Sequence, residues 1–184
     1  MMHHRNVGGA LLLVGSTQFI ISMITAESLY PDYSISLNYI SDLGVGPTAA
    51  IFNFSAFLLG LMTVVSAYFM HREFQYSGFT VFIGLAGIGA MAVGIFPETT
   101  YLPHALASIT TFLFGGLAAI TAYKLEKKPL NYFSIATGIL SLTALILFLG
   151  NASLGLGKGG MERMIAYPVL VWENAFGGHL INGR

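Results

Sequence analysis

The composition of the chain excludes most classes of soluble protein. Of its 184 residues, 9% are charged and 55% are hydrophobic, whereas a soluble domain has about 25% charged residues. The formal net charge is zero, so the chain offers no basic surface for nucleic acid. It contains no cysteine, which excludes disulfides and thiolate metal sites. The sequence therefore predicts an integral membrane protein that does not bind nucleic acid.

Six apolar segments are long enough to cross a bilayer, which takes about 20 residues in a helix. They are separated by prolines, glycines and charged residues, and they span residues 8–29, 48–70, 77–96, 101–123, 131–150 and 161–181. Open sheet is excluded because unpaired backbone groups find no partners in lipid. We therefore expect an all-α integral membrane bundle of six transmembrane helices that forms a single domain over residues 1–184.

The basic residues predict how the bundle is oriented. The N-terminus, the second and fourth connections and the C-terminus carry six of the eight Lys and Arg residues. The opposite face carries only Lys158 and Arg163. Because basic residues accumulate on the cytoplasmic side of a membrane, we expect a multi-pass protein of the plasma membrane with both termini in the cytoplasm. The opposite face is called the outer face below.

Small residues in the third segment indicate close helix packing. Ala86, Ala90 and Gly94 are spaced four residues apart, and such spacing lets helix backbones approach each other in lipid. Packing within the bundle is the preferred interpretation, and a contact between copies of the chain is the alternative.

The first outer loop contains a short amphipathic pattern. Ser34 is suited to begin a helix that Gly44 ends, and the apolar residues between them recur at helical spacing. We expect this segment to form a short interfacial helix on the outer face. The outer loops bring further polar side chains to the same face, and together they form a candidate cluster of Glu27, Asp32, Tyr33, Ser34, Ser41, Asp42, Glu98, His104, Glu162 and Arg163.

Several of these residues belong to motifs of a known family. The motifs are YPDYS at residues 30–34, ISDLG at 40–44 and GIFP at 94–97, followed by His104, Glu162-Arg163 and Trp172. In this order they resemble the membrane family catalogued as domain of unknown function 998. The resemblance implies a six-helix membrane protein from archaea or bacteria, and it implies no activity. Glu173-Asn174 departs from the apolar residues expected there.

Glu173 is the most unusual residue of the predicted spans. It follows Glu162 by about 16 Å along a helix, and a charge near the middle of a bilayer costs about 3 kcal/mol on insertion scales. It is a candidate proton or cation site, with Gln18 as a partner. The preferred interpretation is a hydrogen-bonded glutamate that joins two helices or contacts a partner subunit. Asn53 and Asn174 are the other intramembrane polar candidates.

The outer cluster also contains the residue types of hydrolytic catalysis. Ser41, Asp42 and His104 are a nucleophile, an acid and a base, and Arg163 is suited to hold an anion. Adjacent residues on a helix point about 100° apart, so Ser41 and Asp42 are poorly placed to share one histidine. The preferred interpretation is therefore that Asp42 pairs with Arg163. No ligand spacing typical of a metal site is present, and we predict neither a metal nor another cofactor.

Three functions follow from these patterns. The preferred one is a non-catalytic accessory or structural subunit of a larger membrane complex, in contact with lipids and with protein partners or further copies of the chain. The first alternative is an enzyme that acts on an outer-leaflet lipid or isoprenoid through Asp42, Glu98, His104 and Arg163. The second alternative is a small proton- or cation-coupled transporter that uses Glu173.

Overall fold

The chain folds into a bundle of long helices. A computed structural model describes residues 4–182, within which there is no β-strand. The helices are α1 (His4–Leu29), α2 (Ala49–Phe74), α3 (Ser77–Ile95), α4 (Leu102–Ala122), α5 (Leu130–Leu149) and α6 (Gly157–Asn182). The predicted all-α bundle is confirmed. Arg184, one of the basic residues behind the predicted orientation, lies outside the described residues.

The helices form a closed ring. Each helix packs against its neighbours in the chain, α6 packs back against α1, and α6 also contacts α4. The ring has two ends, which we name after one residue each. The Arg163 end holds the segments 30–48, 96–101 and 150–156, and the Lys124 end holds the segments 75–76 and 123–129.

Glycines allow the helices of the ring to approach closely. Gly60 of α2 faces the backbone of α3 at Gly87 and Met91, with no room for a Cβ atom. Gly138 of α5 faces the carbonyl of Gly116 in α4 in the same manner. Gly94 of α3 likewise lies against the backbone of α2 at Asn53 and Phe57. This contact is packing within the bundle, as in the preferred interpretation of the sequence pattern.

Helix α6 differs from the other five in composition. Five segments are long and apolar enough to cross a membrane: His4–Leu29, Gly46–Phe74, Ser77–Ile95, Leu102–Ala122 and Leu130–Leu149. Helix α6 has 26 residues but includes Lys158, Glu162, Arg163 and Glu173. Most of its side chains are buried against neighbouring helices. Because α6 contacts protein more than lipid, it accommodates polar residues that a lipid-facing helix would exclude.

The segment between α1 and α2 is not the predicted interfacial α-helix. Its only helical parts are 3₁₀ turns at Ser41–Gly44 and Gly46–Thr48. Ser34 begins only a single turn, in which the backbone N–H of Asn38 donates to the Ser34 carbonyl at 2.7 Å and the backbone N–H of Ser34 donates to Asn38 Oδ1 at 3.0 Å. Leu43 is fully buried, so the segment folds into the end of the bundle instead of lying along its surface.

Candidate functional site

Arg163 connects three parts of the Arg163 end. Arg163 is 4% exposed, and its Nη2 donates to Glu27 Oε1 at 2.5 Å and to the Tyr33 hydroxyl at 2.6 Å. Nη1 donates to three backbone carbonyls, those of Ile35, Asn38 and Gly159, at 3.0–3.2 Å. Since both terminal nitrogens already have partners, Arg163 acts as a structural connector and is not available to hold a substrate anion.

Tyr33 extends the same network. Burial raises the pKa of its hydroxyl to about 12, although the nearby Arg163 opposes the shift. The hydroxyl therefore keeps its proton, which it donates to the carbonyl oxygen of Tyr39 at 2.8 Å. Tyr33 thus accepts from Arg163 and donates to the loop, and this pair of bonds fixes the loop against α6.

The predicted pair of Asp42 with Arg163 does not form. Asp42 Oδ2 instead accepts from Asn38 Nδ2 at 3.0 Å and from the backbone N–H of Tyr39 at 2.9 Å. The grouping of Asp42 with Ser41 and His104, which the sequence already disfavours, does not form. Asp42 accepts within its own loop and lies next to Glu98, whereas His104 is bonded to Phe96 and Ser108. Asp32 lies on the exposed surface of that loop.

A cavity of about 250 Å³ lies beside these residues, between α4, α5 and the loops of the Arg163 end. We call it the lateral cavity. Its polar walls are Tyr39, Ser41, Glu98, His104, Ser108 and Glu162, and its apolar walls are Ala105, Ile109, Phe112, Leu145, Phe148 and Leu149. Ala105, Ile109 and Leu149 are exposed on the outside of the ring. The lateral cavity therefore adjoins the surface that faces lipid.

His104 and Ser108 form a hydrogen-bonded pair on the wall of the lateral cavity. His104 is 8% exposed, and its Nδ1 lies 2.8 Å from the carbonyl oxygen of Phe96. Because a carbonyl only accepts, Nδ1 carries the proton and Nε2 is an acceptor. Nε2 lies 3.2 Å from Ser108 Oγ, which donates to it. The Ser108 hydroxyl, the His104 base and the Phe96 carbonyl that orients this base are thus joined by successive hydrogen bonds.

Ser108 is not among the residues that the sequence pattern singled out. The available signal was its spacing, since His104 and Ser108 are four residues apart and so lie on one face of α4. That signal is weak because a serine inside a helix commonly donates to a backbone carbonyl one turn earlier. Only the position of Phe96, which fixes the histidine ring, distinguishes this pair.

Glu98 is the second titratable group of the lateral cavity. Its Oε2 accepts from Ser41 Oγ at 3.2 Å. The pKa of Glu98 is raised to about 7, mainly by burial and also by a hydrogen bond with Asp42 and by the charge of Asp42. Glu162 also lines the lateral cavity, and its Oε2 accepts the backbone N–H of Ile40. Glu98 is therefore a proton donor or acceptor near neutral pH.

The raised pKa of Glu98 makes stability depend on pH. The folded protein holds this proton more tightly than the unfolded chain, where the pKa is close to 4.5. The contribution of Glu98 to folding stability therefore falls as pH rises from about 4.5 to about 7. Glu98→Gln is expected to remove this contribution to the pH dependence. The measurement is the Tm of both proteins in detergent across this range. The exposed Glu73→Gln variant is the control, and a Tm difference between wild type and Glu98→Gln that is constant with pH would contradict the assignment.

The intramembrane polar residues have partners other than those expected. Gln18 Nε2 donates to the carbonyls of Gly15 and Ser55, both at 3.0 Å, so its predicted pair with Glu173 does not form. Asn174 Oδ1 accepts from Thr17 Oγ1 at 2.6 Å. Asn53 Nδ2 donates to the carbonyl of Gly44 at 3.0 Å. Gln18 and Asn174 thus join helices, and Asn53 joins α2 to the loop before it.

Glu173 faces a second cavity, of about 80 Å³, inside the ring. We call it the interior cavity. Ser41, Ser108, Phe112 and Glu162 border both cavities. The Glu173 side chain is 5% exposed, and its Oε2 has no hydrogen-bond partner within residues 4–182. Across the same residues, no group of three or more His, Asp or Glu side chains is arranged to hold a metal ion.

Comparison with known proteins identifies a family. No curated protein and no solved structure matches the chain significantly. The model of a family described as a protein of unknown function (DUF998) matches residues 13–179. This range includes Arg163, both cavities and Glu173. The match covers most of the chain, and the protein therefore belongs to the DUF998 family.

Proposed function

We propose that this protein is a membrane-embedded serine hydrolase or acyltransferase that acts on an ester-bearing lipid. The observation that carries the proposal is the hydrogen-bonded row of Ser108, His104 and the Phe96 carbonyl on the wall of the lateral cavity. This proposal keeps the enzyme that the sequence analysis gave as an alternative function, but it assigns the nucleophile to Ser108 instead of Ser41. Arg163 and Asp42 serve to build the site and do not take part in the reaction.

The chemistry follows from the direction of these hydrogen bonds. Ser108 Oγ attacks the ester carbonyl while His104 Nε2 takes its proton. The bond from Nδ1–H to the Phe96 carbonyl keeps the ring in position as it becomes charged. His104 then gives the proton to the departing alcohol, which leaves an acyl group on Ser108. Water or a second alcohol removes the acyl group by the same proton transfers in reverse.

Two further groups of the lateral cavity are suited to support this reaction. Glu98 has a pKa of about 7, so near neutral pH a large fraction of it can donate a hydrogen bond to the developing oxyanion. Ser41 also lines the lateral cavity, and its Oγ contacts Glu98 Oε2. We assign the oxyanion donor to Glu98 and the positioning of Glu98 to Ser41.

The walls of the lateral cavity indicate the substrate class. Ile109, Leu145, Phe148 and Leu149 provide an apolar surface next to lipid, while the polar groups lie toward the Arg163 end. An amphiphile that enters between α4 and α5 would place its chains against the apolar walls and its ester near Ser108. With the orientation that the basic residues predict, the substrate belongs to the outer leaflet.

Covalent labelling of the nucleophile tests the proposal and does not require the natural substrate. An alkyl fluorophosphonate reacts with an activated serine by losing fluoride and forming a phosphonate ester. In purified protein in mild detergent, we expect the label on the peptide that contains Ser108. Ser108→Ala should abolish labelling, and His104→Gln should slow it by about a thousandfold.

Thr110→Ala is the matched control. Thr110 lies on the same helix, and its hydroxyl donates to the Leu106 carbonyl on the exposed face, so this variant should be labelled like the wild type. Unlabelled wild-type protein that is folded would refute the proposal. Co-purification of other subunits at fixed stoichiometry, together with absence of the label, would favour the accessory-subunit function instead.

A further inference from the structure

The interior cavity is mainly apolar and has two buried carboxyls in its wall, Glu162 and Glu173. Glu162 Oε2 already accepts the backbone N–H of Ile40. Glu173 lies about 16 Å along α6 from Glu162, and it borders the interior cavity but not the lateral cavity. Its Oε2 has no partner within the described chain. A buried carboxylate without a partner is costly, and such groups normally bind a proton, a metal ion or another cation. Glu173 is thus placed to receive a ligand.

The interior cavity does not continue toward the Lys124 end. Beyond Glu173 the ring is filled by a packed apolar cluster, whose largest members are 0–2% exposed. These members are Leu12, Met70, Phe79, Ile83, Trp172, Phe176 and Leu180. Glu173 therefore lies at the closed end of a cavity instead of along a path through the bundle. This geometry is typical of a binding site more than of a transport path.

The composition of the walls favours an organic cation over a metal ion. Metal cations such as Mg²⁺ and Ca²⁺ require about six oxygen ligands. The interior cavity is lined mainly by apolar side chains, and the hydroxyl of Thr111 already donates to the Ala107 carbonyl. Phe19, Phe52 and Phe112 contribute aromatic rings, which attract cations through their faces and pack against apolar groups.

We propose that the interior cavity binds a small primary amine with an apolar body, whose ammonium group pairs with Glu173. The apolar body lies against the phenylalanine rings and Leu170, and the ammonium supplies the partner that Glu173 Oε2 lacks. This inference is independent of the proposed acyl chemistry, because Glu173 takes no part in it. An inactive His104→Gln protein, whose changed side chain borders the lateral cavity and not the interior cavity, is expected to bind the amine as well as the wild type does.

Benzylamine and benzyl alcohol form a matched pair of probes, since they share shape and differ in charge. For purified protein in mild detergent at neutral pH, we expect benzylamine to bind more tightly than benzyl alcohol by calorimetry, and to raise the Tm. Glu173→Gln should weaken benzylamine binding by about ten- to a hundredfold, the range expected for loss of a charge-assisted hydrogen bond. It should change benzyl alcohol binding much less.

Glu126→Gln is the control variant. Glu126 is also a buried carboxyl, and neither of its oxygens has a hydrogen-bond partner among residues 4–182. It lies at the Lys124 end and lines neither cavity. Its replacement should leave benzylamine binding unchanged. Equal binding of the two probes to the wild type, or equal loss in both variants, would overturn the proposal.

A second measurement uses only wild-type protein. Dicyclohexylcarbodiimide is apolar and modifies protonated carboxyl groups in apolar sites. We expect it to modify the peptide that contains Glu173, and benzylamine to slow this modification by about tenfold or more at saturating concentration. Modification that benzylamine does not slow would show that Glu173 binds only a proton, and this result would overturn the amine site.

Discussion

Replacing Arg163 with methionine is expected to lower the free energy of unfolding by about 3–5 kcal/mol. The change leaves the Glu27 carboxylate without its cation in a mostly buried position. It also removes the donor to the Tyr33 hydroxyl and to three carbonyls of the Arg163 end. Unfolding of the purified protein by SDS titration measures the loss.

Two further variants separate the cost of an unpaired Glu27 carboxylate from the loss of the hydrogen bonds that Arg163 donates. Arg163→Met with Glu27→Gln should recover part of the loss, because no buried carboxylate then lacks a partner. Arg72→Met is the control, since Arg72 is an exposed basic residue at the end of α2, and it should change stability by about 0.5 kcal/mol or less. Equal losses at Arg72 and Arg163 would mean that the network of Arg163 contributes nothing specific.

Replacing Gly60 with alanine is expected to lower the free energy of unfolding by about 3 kcal/mol. The added methyl group would overlap the backbone at Gly87 and Met91. Backbone atoms cannot change rotamer, so α2 and α3 would have to move apart. The same SDS titration measures the effect, and loss of the α2–α3 contact should also expose the helices to proteolysis.

Gly178→Ala in α6 is the matched control for this variant. A Cβ atom there meets nothing within 4 Å in the part of the chain that the structure describes, so the substitution should stabilise the protein by about 0.5–1 kcal/mol through helix propensity alone. Equal stabilisation by Gly60→Ala and Gly178→Ala would show that α2 and α3 do not approach each other closely at Gly60.

Much of this fold follows from the sequence because lipid leaves few alternatives. Residues in a bilayer must satisfy their backbone groups within a helix, so runs such as 77–96 and 101–123 predict α3 and α4 to within one residue. The convergence of Glu98, His104 and Glu162 also follows from the sequence, because the order of the helices brings their loops to one end. The family motifs at residues 30–34 and 40–44 lie in that same end of the bundle.

The tertiary structure alone decided which of these polar groups meet. In a short loop each donor has several acceptors within reach, and small changes in backbone direction select among them. Arg163 therefore pairs with Glu27 instead of Asp42, and the segment after Ser34 turns inward where its spacing predicts a helix. Likewise, Ser108 became a candidate nucleophile only because the Phe96 carbonyl fixes His104, and a backbone carbonyl leaves no mark in the sequence.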